Sequence, residues 1–320
     1  MEALFHVLEY NIIPIFLLIA AGFVLSKKFD IDIFTLSKLN FYLFVPAFMF
    51  VNLYTTPIDM GMLKVLGFSI FMLAANYLLA EIIAWLYHYD VGLTNAFKNT
   101  IMFNNCGNIG VSLITLVFTS DPFIIDGKTP YFETAMGAIV VILIWQNLTM
   151  NTLGFYYAGR ANFTAKQSIK KIVQMPTIYV IPAVAFLKLV DFDIKPTFMW
   201  PALVYLKDGL VPIALVTLGV QLSKTAFQFD NRVMHISVFN RLVVGPALAI
   251  AGVYLFGFSG VIAQAVFIAY AVPTAVNVAL IAVECNNFPA FSTQAVMAST
   301  VFSTVTLTLV IYLARLIYPV

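Results

Sequence analysis

Within an otherwise apolar stretch from about residue 95 to residue 118 lies Asn104-Asn105-Cys106-Gly107-Asn108-Ile109-Gly110-Val111-Ser112-Leu113. Two glycines, three asparagines and a serine interrupt a segment otherwise apolar enough to cross a bilayer. In hydrocarbon every backbone N–H and C=O needs a partner within the protein. A cluster of poor helix formers at that depth therefore predicts a broken helix lining a protected polar cavity. About 165 residues later Pro273-Thr274-Ala275-Val276-Asn277 interrupts a second apolar segment. Proline lacks the N–H and clashes with the preceding turn, so this helix should kink or break as well. The two interruptions read as halves of one binding site.

The rest of the composition agrees with a bilayer setting. Of 320 residues, 62% are hydrophobic and 10% charged, with a mean hydropathy of +0.95. A soluble domain would need far more surface charge, so the reading is an all-α polytopic membrane protein. A net charge of +2 and no basic cluster interleaved with aromatics give no case for nucleic acid as a partner. Cys106 and Cys285 have no metal-ligand spacing, so neither a disulfide framework nor a metal site is expected, and no cofactor is implied. The start of the chain carries Glu2 and Glu9 where a signal peptide would carry positive charge, so a removable signal is not expected. His6, His88 and His235 are scattered, and no Gly-x-Ser-x-Gly, His-Glu-x-x-His or Walker motif occurs, so an enzyme or an ATP-driven pump is not expected.

A helical span needs about 20 largely apolar residues. Ten segments qualify, at about 10–26, 36–54, 62–87, 95–118, 132–158, 172–190, 198–222, 234–256, 260–283 and 291–317. Loops after odd-numbered segments hold Lys27, Lys28, Lys38, Lys98, Arg160, Lys166, Lys170, Lys171, Lys224 and Arg232. Those after even-numbered segments hold Lys64, Lys128, Lys188 and Lys195, with Arg315 near the C-terminus. Ten cations against five place the odd loops in the cytoplasm and both termini outside.

The halves resemble each other. Phe29-Asp30-Ile31-Asp32 after segment one is matched by Phe192-Asp193-Ile194-Lys195 after segment six. Val45-Pro46-Ala47 is matched by Val211-Pro212-Ile213-Ala214, and the two interruptions keep nearly the same offset. Five helices per half is an odd number, so the second copy enters from the opposite face as an inverted repeat. The expected organisation is a first repeat over 1–158, a cytoplasmic linker over 159–171 and a second repeat over 172–320.

These residues resemble a known family. Asn105-Cys-Gly107-Asn108-Ile-Gly110-Val-Ser-Leu is similar to the Asn-x-Gly-Asn-x-Gly-Leu-Pro-Leu signature of the auxin efflux carriers, and Ala271-Val-Pro273-Thr274-Ala275-Val276-Asn277 to their second signature. Pro212-Ile-Ala-Leu-Val-Thr-Leu-Gly219-Val-Gln-Leu222 and Ile13-Pro14-Ile-Phe-Leu-Leu also fit, so the resemblance covers the whole chain. It implies ten helices in two inverted five-helix repeats. Segments 1, 2, 6 and 7 would form a scaffold, and segments 3–5 and 8–10 a transport domain whose fourth and ninth helices cross at mid-membrane. It also implies a homodimer through the scaffold. Ser112 stands where the family has proline, so the first break would rest on Gly107 and Gly110. The short linker points to a bacterial-type member in the plasma membrane rather than to a plant exporter.

Asn105, Asn108, Asn277, Thr274 and Gln146 are the candidate substrate-binding residues. Their polar groups either bind an anion, helped by the positive ends of half-helices, or only satisfy carbonyls freed by the breaks. Gly107, Gly110, Ser112 and Pro273 are candidates for shaping the breaks. Asp208, within segment seven, is a candidate for ion or proton coupling, the alternative being a residue one turn below the surface beside a snorkelling Lys207. Glu81, Arg241 and Glu284 fall near cytoplasmic ends, where a surface ion pair is cheap; Arg241 is the one read also as a carboxylate partner. Asn147, Thr149 and Asn151 add polar groups to segment five.

The expectation is a secondary transporter of a small organic anion, a carboxylate that is auxin-like or malate-like, working by elevator-type alternating access. A sodium-coupled symporter of the bile acid type and a ligand-sensing receptor without flux remain as alternatives.

Overall fold

A computed structural model describes residue 5 and residues 7–55, 60–159, 176–224 and 230–320. Most of the expected linker lies outside the described residues, with Arg160, Lys166, Lys170 and Lys171, as do Glu2 and His6. The Glu284 side chain is outside them too.

The described chain is helical, and its only strand-like features are two isolated bridges. In order, the helices are α1 (Val7–Lys28), α2 (Ile33–Thr55), α3 (Met60–Leu86), α4 (Val91–Met102), α5 (Cys106–Phe118), α6 (Phe132–Gly159), α7 (Pro176–Leu189), α8 (Met199–Ser223), α9 (Arg232–Phe256), α10 (Gly260–Ala271), α11 (Val276–Glu284) and α12 (Pro289–Ile317). All ten apolar segments are helical over their described residues, and the fourth and ninth are each divided in two. Among the described residues, seven helices are long and apolar enough to cross a membrane: α1, α2, α3, α6, α8, α9 and α12.

Local chemistry explains the helix starts. Asp32, Asp90 and Asn231 cap α2, α4 and α9 by accepting N–H bonds from the first turn. Prolines inside the spans do not break them. Pro46 and Pro246 each follow a π-helical turn, in which Val45 N–H reaches the Asn40 carbonyl and Gly245 N–H the Asn240 carbonyl. The widened turn makes room for a ring that would otherwise strike the carbonyl four residues back.

Helices α1 and α8 touch backbone to backbone. Gly22 lies against the Val216 carbonyl and Gly219 against the Ile19 carbonyl, so a Cβ at either position would overlap a main-chain oxygen. Small residues let membrane helices approach this closely and gain dispersion contacts. The outer surface is strongly apolar, with Phe198, Leu189, Tyr205 and Trp85 each more than 70% exposed. Such a surface suits lipid and would aggregate in water.

One cation sits elsewhere than expected. Lys98, counted above with the loops, is buried in α4. Its Nζ is 2.5 Å from Glu81 Oε1 and lies over the rings of Tyr77 and Tyr157, at 4.9 and 5.1 Å. Burial of a lysine is tolerable because a carboxylate and two ring faces replace its water.

Candidate functional site

The two interruptions meet. Helix α4 ends at Met102 and α10 at Ala271; the extended residues that follow lie side by side, Asn104 opposite Thr274 in an antiparallel bridge. Asn105 N–H donates to the Pro273 carbonyl at 2.8 Å and Ala275 N–H to the Phe103 carbonyl at 3.0 Å.

Each break frees carbonyls in a medium without water, so each needs a named donor. Pro273 has no N–H to give Ala269, four residues back, and Asn104 Nδ2 donates to that carbonyl instead, at 2.8 Å. Thr274 Oγ1 donates to the Thr100 carbonyl at 2.9 Å, while Thr274 N–H donates to Ser299 Oγ. Arg241, fully buried on α9, serves both breaks. Its Nη1 donates to the Ile101 carbonyl at 2.9 Å, its Nε to Val272 at 3.1 Å, and its Nη2 to Tyr270.

On the other side of the pairing the second half-helices begin. Asn105 caps α5 by accepting the Asn108 N–H, whereas Ala275 gives α11 no side-chain cap. Both N-termini open on a cavity of about 30 Å³, whose polar lining comes from Asn104, Asn105, Asn108, Asn277, Gln146 and Asn147. Val45 of α2 closes one side. Asn105 Nδ2 and Asn147 Nδ2 are buried there with no hydrogen-bond partner among the described residues. An unpaired buried amide costs about 1–3 kcal/mol, which a bound polar ligand would recover. Two positive helix ends, with no charged residue in the lining, suit an anion.

Of the five candidate binding residues, Asn105, Asn108, Asn277 and Gln146 therefore share one cavity. Thr274 does not line it; its hydroxyl joins the breaks and its N–H is held by Ser299 on α12. Asn104 and Asn147, not singled out from the sequence as binding residues, belong to the same wall. The amide beside Gln146 on α6 was the available signal for Asn147.

Two expectations are corrected by position. The first interruption spans residues 103–105, ahead of Gly107 and Gly110, which lie inside the restarted helix. The glycines are not what breaks it; the bridge to Thr274 and the Asn105 cap hold it open. Ser112 is buried one turn further on, and its Oγ donates to the Asn108 carbonyl at 2.5 Å. Pro273 does sit within the second break. Arg241 is at no membrane surface but bound to carbonyls at the core of the pairing.

Asp208 is apart from all this. It lies 2.7 Å from Lys207 Nζ with its side chain 60% exposed at the protein surface. Both residues line a second cavity of about 370 Å³ between α1, α2, α8, α5 and α6, with Ser112 and Thr115 on its α5 wall.

Long apolar helices, two interrupted segments joined at their breaks and a buried amide-lined cavity define a multi-pass membrane protein built in the manner of a transporter. Residues 161–311 match the family model of membrane transport proteins. No curated protein matches the chain.

Proposed function

We propose that this membrane transport protein is a secondary carrier of a small organic anion, held by one carboxylate at the paired breaks. The observation that carries the reading is the uncharged cavity onto which two half-helix N-termini open, beside buried amides lacking partners. Each helix end is equivalent to about half a positive charge, so two ends balance about one carboxylate. Asn105, Asn108, Gln146, Asn147 and Asn277 supply neutral donors and acceptors that orient the anion without holding it too tightly to release.

The two divided segments and eight continuous helices form two inverted five-helix repeats in this reading, with α1, α2, α7 and α8 as scaffold and the remainder as the moving domain. The pairing lies at mid-membrane, both termini are extracytoplasmic, and two copies associate through the scaffold. A cavity of about 30 Å³ holds only about two water molecules, too little for an organic acid. Val45 on the scaffold helix α2 must withdraw for the substrate to bind, which alternating access by sliding of the moving domain accomplishes. The cavity of about 370 Å³ beside Ser112 is the outer vestibule in this reading.

Purified protein in liposomes on a solid-supported-membrane electrode tests this reading, with a panel of monocarboxylates, dicarboxylates and indole acids. A saturable current with at least one anion, shifted to about tenfold higher concentration or more in Asn108→Ala, is expected. Flux of cations or neutral solutes alone would overturn it.

A further inference from the structure

Half-helix C-terminal ends and unwound carbonyls are where membrane carriers hold a coupling cation. In this chain those oxygens are already taken, by Arg241. We infer that Arg241 is a built-in cation filling the seat of a coupling ion, so that the carrier works without sodium. The inference rests on the transporter reading above.

Three features support it. The guanidinium binds carbonyls from both breaks at once: Ile101 at the end of α4, Tyr270 at the end of α10, and Val272 in the extended residues that follow. A cation shared between the two broken helices would use this set of oxygens. The charge also balances. Each helix C-terminus is equivalent to about half a negative charge, and the two together match one guanidinium. A buried arginine ordinarily needs a carboxylate, yet among the described residues none forms an ion pair with it.

The third feature is how the side chain is delivered. Arg241 stands in the π-helical turn Asn240–Val244, ahead of Pro246, so its position is set by the backbone of α9. A tethered cation cannot dissociate and carries no gradient energy. It holds the negative ends neutral throughout the cycle and leaves the two positive ends for the anion. Loading a monoanion then changes the net charge of the moving domain, and no sodium ion cancels that change.

Thermal unfolding of the purified protein tests this without any transported substrate. The wild type is titrated with sodium chloride against choline chloride at constant ionic strength, and its midpoint should not respond to sodium. Arg241→Ala should unfold at a lower temperature. Low-millimolar guanidinium, or sodium, should raise its midpoint saturably by about 2–4 °C. Arg241→Lys, which keeps a charge in the seat, should respond to neither. Should Arg241→Ala not fold, Arg241→Gln, neutral but still a donor, takes its place with the same expected cation response. Saturable stabilisation of the wild type by sodium would overturn the inference. So would a folded neutral variant indifferent to both cations. A carrier that moved something other than an organic anion would leave these readings intact, so the two proposals fail separately.

Discussion

Asn104 and Thr274 face each other across the antiparallel bridge, and each side chain satisfies a carbonyl freed in the other's helix. Asn104 reaches Ala269, orphaned by Pro273, and Thr274 reaches Thr100. The exchange makes each break a condition of the other. Asn104→Ala and Thr274→Val should each lower stability by about 1–3 kcal/mol, the cost of a buried carbonyl left without a donor. Thermal unfolding in detergent checks this, and an unchanged midpoint in either variant would show that the carbonyl has found water.

Asn108 behaves differently from its neighbours because its side chain faces the cavity, while only its backbone joins the bonds that hold α5. Asn108→Ala should therefore leave the unfolding midpoint nearly unchanged. It should weaken anion affinity by about tenfold or more, since a hydrogen bond to a charged group contributes about 1.5–3 kcal/mol. Currents measured against anion concentration give the affinity directly.

The glycines divide into two kinds. Gly22 and Gly219 meet backbone carbonyls across the α1–α8 contact, where no side chain can turn aside. Gly22→Ala or Gly219→Ala should separate the helices and cost at least about 1–3 kcal/mol, read as lost monodisperse yield. At Gly107 the nearest atom to an added Cβ is a Leu143 methyl at 3.5 Å, an ordinary contact. Gly107→Ala should fold, with α5 slightly stabilised by the better helix former, while anion currents fall because the methyl enters the cavity.

Asp32 links the α1–α2 turn to pH. Its carboxylate accepts the Thr35 hydroxyl at 2.6 Å and the Phe34 and Thr35 N–H groups at 3.1 Å. The Thr35 hydroxyl first, then the Phe34 N–H, hold its pKa below the usual carboxylate value. A carboxyl depressed in the folded state contributes stability above its unfolded pKa and loses it as pH falls through the lowered value. Asp32→Asn keeps an acceptor at the cap and removes the titration. The variant's unfolding midpoint should thus fall less than the wild type's between about pH 5 and pH 3, in parallel melts.

Much of this molecule could be read from a single chain of letters. Segments of about 20 apolar residues had to become helices, because hydrocarbon offers the backbone no other partner, and their ends fall where the caps Asp32, Asp90 and Asn231 stand. The asparagines near residue 105 and Pro273 marked both breaks, because polar and helix-breaking residues at that depth are costly unless something needs them. Asn105, Asn108, Asn277 and Gln146 followed from the same reasoning, and they share a wall.

The fate of each freed carbonyl was decided only in three dimensions. Gly107 and Gly110 looked like the cause of the first break, yet they are helical, and the pairing with Thr274 holds the chain open ahead of them. Asp208, read either as an ion-coupling group or as a residue one turn below the surface, pairs with Lys207 at 2.7 Å with its side chain 60% exposed. Arg241 read as a cation near a surface, while it sits fully buried on Ile101, 140 residues away in the chain, and on Tyr270 and Val272. Local sequence states that a helix must break, because propensity and polarity act over a few residues. The donors that satisfy the break arrive from α9 and from the opposite half, and only the approach of distant segments in space brings them there.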